Sequence, residues 1–291
     1  MSEYSDLIRK SFSEGDKERD KNNMIPDDII RYTNIRYDDK DDIWNLLDVY
    51  LPKNVDQPLP VIMNVHGGGW VYGDKDVYQW YCMSLAQRGF AVVNYSYRLA
   101  PEYKYPASLE DTCSVANWII ENKEKYHFDI NHIFGVGDSA GGHLLSLFAA
   151  YLTSDRCKLP IDIHPLFSFQ AIALNCGVYF MKGDILGDTS KLMEDLLPHK
   201  GSEDEYHNIS TINFITDKYP PCFIMTCPGD FLYQAPDALI PVLKKNKIPF
   251  VYRVYGNSNE PLAHVFHCNI NTKQAKLCND EECNFFKEFI D

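Results

Sequence analysis

Two glycine-rich segments constrain this chain more than any other feature of its sequence. They are His66-Gly67-Gly68-Gly69-Trp70 and Gly137-Asp138-Ser139-Ala140-Gly141-Gly142, and each follows a short apolar run. Such a run is typical of a strand that is covered on both faces. Glycines directly after a strand permit a turn that is too tight for residues with a side chain. The two segments therefore predict two buried strands that end in sharp turns.

The rest of the chain alternates between strand and helix patterns. Strands are predicted at residues 29–37, 43–51, 59–65, 90–97, 132–136, 166–174, 222–227 and 250–255, and helices at 3–10, 77–87, 106–125, 140–152, 235–246 and 273–290. The first two strands should form a hairpin around the acidic residues 38–42. The alternation predicts an α/β fold with a mostly parallel central sheet and helices on both faces. We expect a single domain over residues 1–291, with a short lid insertion at 177–219.

Composition argues against several classes of partner. The chain has 291 residues, 45% of them hydrophobic, and a net charge of −13, so no nucleic-acid surface is expected. No apolar run reaches the roughly 18 residues of a membrane span, and the first residues lack a signal-peptide pattern. The nine cysteines are scattered and odd in number, which disfavours a disulfide framework. We therefore expect a cytoplasmic protein with reduced thiols and no membrane partner.

Ser139 has the sequence context of an activated nucleophile. It lies between an apolar strand and an apolar helix, inside the pattern Gly-x-Ser-x-Gly. The turn of a nucleophile elbow needs glycine at 137 and 141, because side chains there would collide. The alternative is a glycine-rich turn that serves packing or binds a phosphate. The absence of a Gly-Lys-Ser/Thr sequence argues against a nucleotide loop.

Chain order selects the candidate partners of Ser139. In an α/β-hydrolase the nucleophile is followed by an acid and then by a histidine, each in a loop after a strand. Asp230 and His264 follow the last two predicted strands in this order. His267 is the alternative base, three residues later. Asp237 is the alternative acid, although it falls inside a predicted helix.

The first glycine-rich segment is expected to bind the oxyanion. The backbone N–H groups of Gly67, Gly68 and Ala140 can converge on a carbonyl oxygen, since glycine lets the backbone approach the substrate. His66 is expected to hydrogen-bond within this loop rather than to act as a base. Three aromatic residues are candidates for the substrate pocket, although core packing is the commoner use of such side chains: Trp70, Tyr72 and Phe231.

The motifs together resemble the hormone-sensitive-lipase-like branch of the α/β-hydrolases. Four segments from about Leu47 onward carry the likeness: residues 66–70, Tyr97-Arg98-Leu99-Ala100-Pro101-Glu102, Tyr105-Pro106-Ala107 and residues 137–142. The resemblance implies a carboxylesterase with Ser139 as nucleophile and Asp230 as acid. It favours His264 as base, because His264-Val265-Phe266 looks like the family's His-Gly-Phe triplet with valine in the middle.

The resemblance also carries implications for the rest of the chain. Glu110 and Asp138 are expected to be structural, and the family allows a homodimer. The chain departs from the family at its N-terminus, where the residues are polar and only weakly indicate cap helices. For that reason the lid is expected at 177–219 instead.

The expected activity is that of a serine carboxylesterase acting on a small-molecule ester. Short-chain acyl esters are favoured, with acetylated or feruloylated sugars among the candidates, and turnover is expected through an acyl-enzyme. The same groups cleave amides, so a peptidase or an arylformamidase is the alternative. A catalytically silent binding protein is disfavoured, because no triad residue is missing. No metal or organic cofactor is implied.

Overall fold

One eight-stranded sheet runs through the described part of the chain. The computed structural model describes residues 2–39, 43–163, 165, 167–182, 190–257, 259 and 261–290. The strands are β1 (Ile29–Arg36), β2 (Leu46–Pro52), β3 (Leu59–Val65), β4 (Ala91–Tyr95), β5 (Phe128–Asp138), β6 (Ala171–Asn175), β7 (Cys222–Thr226) and β8 (Phe250–Val254).

Helices pack on the sheet between the strands. They are α1 (Glu3–Asp20), α2 (Lys75–Ala86), α3 (Ala107–Glu121), α4 (Lys123–Tyr126), α5 (Ala140–Thr153), α6 (Ser190–Leu196), α7 (Glu203–Ile209), α8 (Pro236–Lys245) and α9 (Lys273–Lys287). Within the described residues, none of these helices combines the length and the hydropathy that crossing a membrane requires.

The strand order is β1-β2-β4-β3-β5-β6-β7-β8. The pairs β1–β2 and β2–β4 are antiparallel, and the pairs from β4–β3 to β7–β8 are parallel. The predicted α/β fold with a mostly parallel sheet is therefore confirmed. Parallel strands place their carboxyl ends at the same edge, so the loops after β3, β5, β7 and β8 meet there.

The sheet is buried on both faces. Alternate residues of β3 belong to different cores: Val61, Met63 and Val65 face one cluster, while Ile62 faces the other. β4, β6 and β7 are buried along their whole length. This explains why these strands are continuous apolar runs in the sequence rather than alternating patterns.

Several predicted boundaries were wrong. The N-terminal helix was expected at 3–10 but continues to Asp20, and the region 177–219, expected to be irregular, contains α6 and α7. The sequence did carry a signal for α7: Ser202 and Glu205 form a reciprocal capping box at its N-terminus. Parts of three predictions lie outside the described residues, namely 40–42 in the hairpin turn, Leu166 in a strand and 183–189 in the lid.

The first turn of α5 packs against the end of β3 at very short range. A Cβ atom added to Gly141 would lie 2.0 Å from the carbonyl oxygen of Val65 and 2.5 Å from that of His66. At Gly137, a Cβ atom would lie 2.6 Å from the carbonyl oxygen of Gly141. Only glycine fits these positions, as the elbow pattern predicts.

Replacing Gly141 with alanine should therefore destabilise the fold. We expect a loss of about 3 kcal/mol in the free energy of unfolding, because backbone atoms must move to admit the methyl group. Gly15→Ala is the matched control: Gly15 lies inside α1 and its Cβ would meet nothing within 4 Å. It should stabilise by up to about 1 kcal/mol through helix propensity. Urea unfolding measures both; a Gly141→Ala protein as stable as the wild type contradicts this packing.

Candidate active site

The turn between β5 and α5 holds Ser139 in an unusual backbone conformation. Its φ is 51° and its ψ is −120°, a combination that a residue with a side chain adopts only when its surroundings enforce it. The Ser139 N–H donates to the carbonyl oxygen of Asn175 at 2.9 Å. The elbow thus presents the serine at the carboxyl edge of the sheet.

Asp230 and His264 lie next to each other because the β7–β8 pairing continues past the strands. Gly229 and Ala263 form an isolated parallel bridge, and each of the two functional residues follows one of them directly. A Cβ atom on Gly229 would lie 2.4 Å from the carbonyl oxygen of Leu262. The close approach of the two loops depends on this glycine.

The three predicted residues form one hydrogen-bonded chain. His264 Nε2 lies 2.9 Å from Ser139 Oγ, and His264 Nδ1 lies 2.6 Å from Asp230 Oδ1. The Leu232 N–H donates to Asp230 Oδ1 at 2.8 Å. Burial acts to raise the pKa of Asp230, but the hydrogen bond and charge of His264 and the Leu232 N–H outweigh it, so this pKa lies below its ordinary value. The carboxylate is therefore ionised and oriented toward the imidazole.

The alternative base and acid have surroundings of their own. His267 is fully buried, its ring packs edge-on against Tyr81, and burial is the main cause that lowers its pKa to about 3. Asp237 lies within α8. His66 stacks on Tyr97 with ring centroids 4.0 Å apart, and its Nδ1 lies 2.7 Å from the carbonyl oxygen of the next residue. His66 is thus a loop-supporting residue here.

The position of Gly67 corrects one prediction. Its N–H lies 3.1 Å from Asp138 Oδ1 and 3.0 Å from the Tyr78 hydroxyl oxygen, and it donates to these two acceptors. An N–H that is engaged in this way is not free for an oxyanion. Sequence reasoning missed it because the contact comes from Asp138, which is 71 residues away along the chain.

Gly68 and Ala140 remain the predicted oxyanion donors. Ala140 is the first residue of α5, so its N–H has no intrahelical acceptor and points along the positive end of the helix dipole. Gly68 has a φ of 122°, and a Cβ on it would lie 2.0 Å from the carbonyl oxygen of Tyr72. The tight turn after β3 thus requires glycine at this position.

A cavity of about 250 Å³ adjoins Ser139 and His264, and Tyr72 and Phe231 line it. The Phe231 ring is 64% exposed and its centroid lies 4.3 Å from that of His264. Trp70 does not line the cavity, contrary to its prediction: it is 2% exposed, and its Nε1 donates to His143 Nδ1 at 3.1 Å. Trp70 is a core residue that supports the loop.

Helix α1 forms one wall of this cavity and is the main element that sequence reasoning missed. Five of its residues line the cavity: Ser11, Phe12, Gly15, Asp16 and Arg19. No described residue of 177–219 does so, although the lid was expected there. The signal that could have revealed α1 is the recurrence of Tyr4, Ile8 and Phe12 at intervals of four, which places them on one helix face.

Among the residues that the structure describes, two groups of side chains have donor atoms close enough to hold a metal ion. One consists of Asp138, His267 and Cys268, and the other of Cys176, Asp230 and His264. Asp230 and His264 are already bonded to each other. Asp138 accepts from Gly67 and from the Tyr78 hydroxyl. An ion in either group would therefore compete with hydrogen bonds that hold the site.

Two carboxyl groups are buried beneath the elbow. Burial is the main cause that raises the pKa of Asp138 to about 6 and that of Glu282 to about 7. Glu282, on α9, accepts from the Tyr81 hydroxyl at 2.7 Å and from Asn175 Nδ2 at 2.6 Å. The backbone carbonyl of the same Asn175 accepts the Ser139 N–H, so α9 supports the turn that carries Ser139.

The fold and the site define an α/β-hydrolase of the hormone-sensitive-lipase-like class. A Gly-x-Ser-x-Gly elbow joins a parallel strand to a helix, and an acid and a histidine follow at later strand ends. The BD-FAE family model matches residues 47–235, which is more than half of the chain. The chain belongs to the BD-FAE family.

Individual relatives give the same classification. The chain is 37% identical over 108 residues to versiconal hemiacetal acetate esterase from Dothistroma septosporum. This match covers 37% of this chain and 33% of the relative. It is 33% identical over 125 residues to ethyl acetate hydrolase from Pseudomonas putida, covering 40% and 39%. The chain thus matches only about a third to two fifths of the length of these relatives.

Solved structures match over nearly the whole chain. Esterase B from Lactobacillus rhamnosis superposes with a TM-score of 0.87 and 26% identity, covering 97% of this chain and 94% of that one. A structure of the same esterase with a C4-C4 tributyrin phosphonate inhibitor gives a TM-score of 0.86 at 26% identity, covering 99% and 96%.

The buried Glu282 carboxyl should make folding stability depend on pH. Its folded-state pKa of about 7 exceeds the ordinary 4.5, so its ionisation costs stability as the pH rises through this range. Glu282→Gln removes that cost, because its amide oxygen can still accept from Asn175 Nδ2 while its amide nitrogen donates to the Tyr81 hydroxyl oxygen. Between pH 5 and 8, the unfolding free energy of the variant relative to wild type should rise by about 2 kcal/mol.

Urea unfolding at several pH values measures this difference. Glu288→Gln, on an exposed residue at the end of α9, is the control and should follow the wild-type pH profile. If the Glu282→Gln profile also runs parallel to wild type, Glu282 does not change its protonation state in this range.

Proposed function

We propose that this chain is a serine carboxylic ester hydrolase. The observation that carries the proposal is the continuous hydrogen-bonded chain from Ser139 through His264 to Asp230, with distances of 2.9 and 2.6 Å. This arrangement can remove a proton from the serine hydroxyl and hold the imidazolium that results. The esterases among the relatives support an ester rather than another acyl substrate.

The geometry supports a two-stage reaction. His264 Nε2 takes the Ser139 proton while the serine oxygen attacks the ester carbonyl, and Asp230 stabilises the imidazolium. The N–H groups of Gly68 and Ala140 stabilise the oxyanion, at about 3 to 4 kcal/mol per donor. His264 then returns the proton to the leaving alcohol. Water activated by the same histidine hydrolyses the acyl-enzyme.

The proposed substrates are esters of short acyl chains. The cavity at Ser139, of about 250 Å³, suits a small ester and is closed on one side by α1. Two relatives are named for acetate esters, and the related esterase B accommodates a tributyrin phosphonate. Acetylated sugars fit the same size class, and feruloylated sugars would need space beyond this cavity.

A p-nitrophenyl ester series tests the reaction and the chain length together. We expect turnover of the acetate and butyrate esters, with kcat/KM falling for the octanoate and palmitate. Ser139→Ala should lower kcat by roughly 10⁴-fold or more while leaving the unfolding transition unchanged. Turnover of anilides or formamides in place of every ester would replace the ester proposal with an amide hydrolase. A folded protein that is inert toward both and toward a fluorophosphonate probe would indicate a silent binding protein.

Substitution of the two histidines tests the assignment of the base. His264→Ala should lower kcat by several orders of magnitude, because no other imidazole in the described part of the chain hydrogen-bonds Ser139 Oγ. His267→Ala should retain the catalytic rate and lose stability, since that ring is buried among core side chains. Asp230→Asn should leave weak residual turnover. Retained turnover in His264→Ala, with loss in His267→Ala, would overturn the assignment.

A further inference from the structure

Helix α1 is held over the active site by contacts that do not involve the cavity. At its start, Ser2 Oγ donates to Asp195 Oδ2 on α6 at 2.6 Å. Farther along, Arg9 forms an ion pair with Glu102 at 2.6 Å, and its Nε donates to the Val71 carbonyl oxygen at 2.7 Å. These anchors fix the helix against the loop that follows β3. The hydrogen bonds that polar residues of α1 make inside the cavity are therefore not the only attachment of this helix.

The cavity face of α1 nevertheless carries a carboxylate. Asp16 Oδ2 accepts from the Tyr72 hydroxyl at 2.9 Å, and Asp16 Oδ1 accepts from Arg19 Nη1 at 2.7 Å. The Asp16 side chain is 24% exposed and lines the same cavity as Ser139. A carboxylate has about four lone-pair sites, so Asp16 can accept further hydrogen bonds from a ligand.

The residues around Asp16 indicate which chemical group of a ligand its carboxylate would bind. The Arg19 guanidinium contacts the carboxylates of both Asp16 and Asp20, so it compensates the Asp16 charge only in part. A hydroxyl group can donate to the Asp16 carboxylate without bringing a second positive charge beside the guanidinium that already contacts it, so it fits better than a cation. An apolar chain in the same place would displace the water that hydrogen-bonds the Asp16 carboxylate and would offer no donor instead. Two other lining residues of the cavity are apolar, namely Phe231 and Val265.

We propose that Asp16, together with Tyr72, forms a hydroxyl-binding wall that selects esters carrying a free hydroxyl group. This inference rests on the proposed esterase function and specifies its substrate class. The hydroxyl can lie on the alcohol arm, as in a glycerol or sugar ester, or on the acyl arm, as in a hydroxy acid ester. Asp16 is a specificity-determining residue that does not take part in the bond-breaking steps.

Two matched substrate pairs test the proposal and distinguish its two forms. Glycerol monobutyrate against butyl butyrate varies the alcohol arm, and p-nitrophenyl 3-hydroxybutyrate against p-nitrophenyl butyrate varies the acyl arm. Wild type should favour the hydroxylated member of at least one pair in kcat/KM, by about tenfold, the effect of one charge-assisted hydrogen bond. The pair that shows the preference identifies the arm.

Variants of Asp16 attribute that preference to the side chain. Asp16→Leu removes the acceptor and should abolish the preference, so that kcat/KM for the hydroxylated ester falls to that of its unhydroxylated partner. Asp16→Asn keeps one carbonyl acceptor and should restore part of it. Glu102→Gln weakens an anchor of α1 outside the cavity, and it should leave the preference unchanged. It therefore separates loss of the acceptor from displacement of the helix.

The outcomes separate this inference from the function on which it rests. Turnover of all four esters without any preference for a hydroxyl group would overturn the inference and leave the esterase proposal standing. An Asp16→Leu protein with the wild-type preference, or a Glu102→Gln protein that loses it equally, would also overturn it. Failure to hydrolyse any of the four esters would reject the esterase proposal itself.

Discussion

The close contact between the first turn of α5 and the end of β3 is the constraint on which the rest of the site depends. Because Gly141 has no side chain, α5 approaches to a distance at which a Cβ atom would lie 2.0 Å from the Val65 carbonyl oxygen. The contact brings the loop after β3 beside Ser139. It also directs the N-terminus of α5, with its free N–H groups, at the place where negative charge would develop. One steric condition thus positions both Ser139 and the proposed oxyanion donors.

Three buried carboxyl groups accept hydrogen bonds that hold this arrangement, and their pKa values are not all shifted in the same direction. Asp230 is kept ionised by its hydrogen bonds to His264 and Leu232, which outweigh the effect of burial. Asp138 and Glu282 also accept hydrogen bonds, but burial outweighs them and raises the pKa values of these two groups to about 6 and about 7. The Gly67 N–H and the Ser139 turn each depend on one of these two groups. The elbow therefore rests on a hydrogen-bond network whose charge is sensitive to pH.

Much of the candidate site could be predicted because its residues are tied to local patterns. Glycines at strand ends and the order of Ser139, Asp230 and His264 after successive strands are visible without any structure. The errors share one cause. The Gly67 N–H is engaged by Asp138 instead of being free for an oxyanion. Trp70 packs in the core near His143 and does not line the cavity. The length of α1 was underestimated, because its polar sequence is stabilised by contacts with the loop after β3. Each depends on partners far away along the chain.

The sequence by itself determined the α/β architecture and the identity of the three residues at the strand ends. Strand periodicity, turn glycines and chain order are local properties, and each follows from backbone geometry. Only the tertiary structure decided which N–H groups remain free, which element covers the cavity and which side chains line it. Those outcomes depend on hydrogen bonds and burial between distant segments, such as Tyr72 with Asp16. Local patterns carry no information about such contacts until the chain is folded.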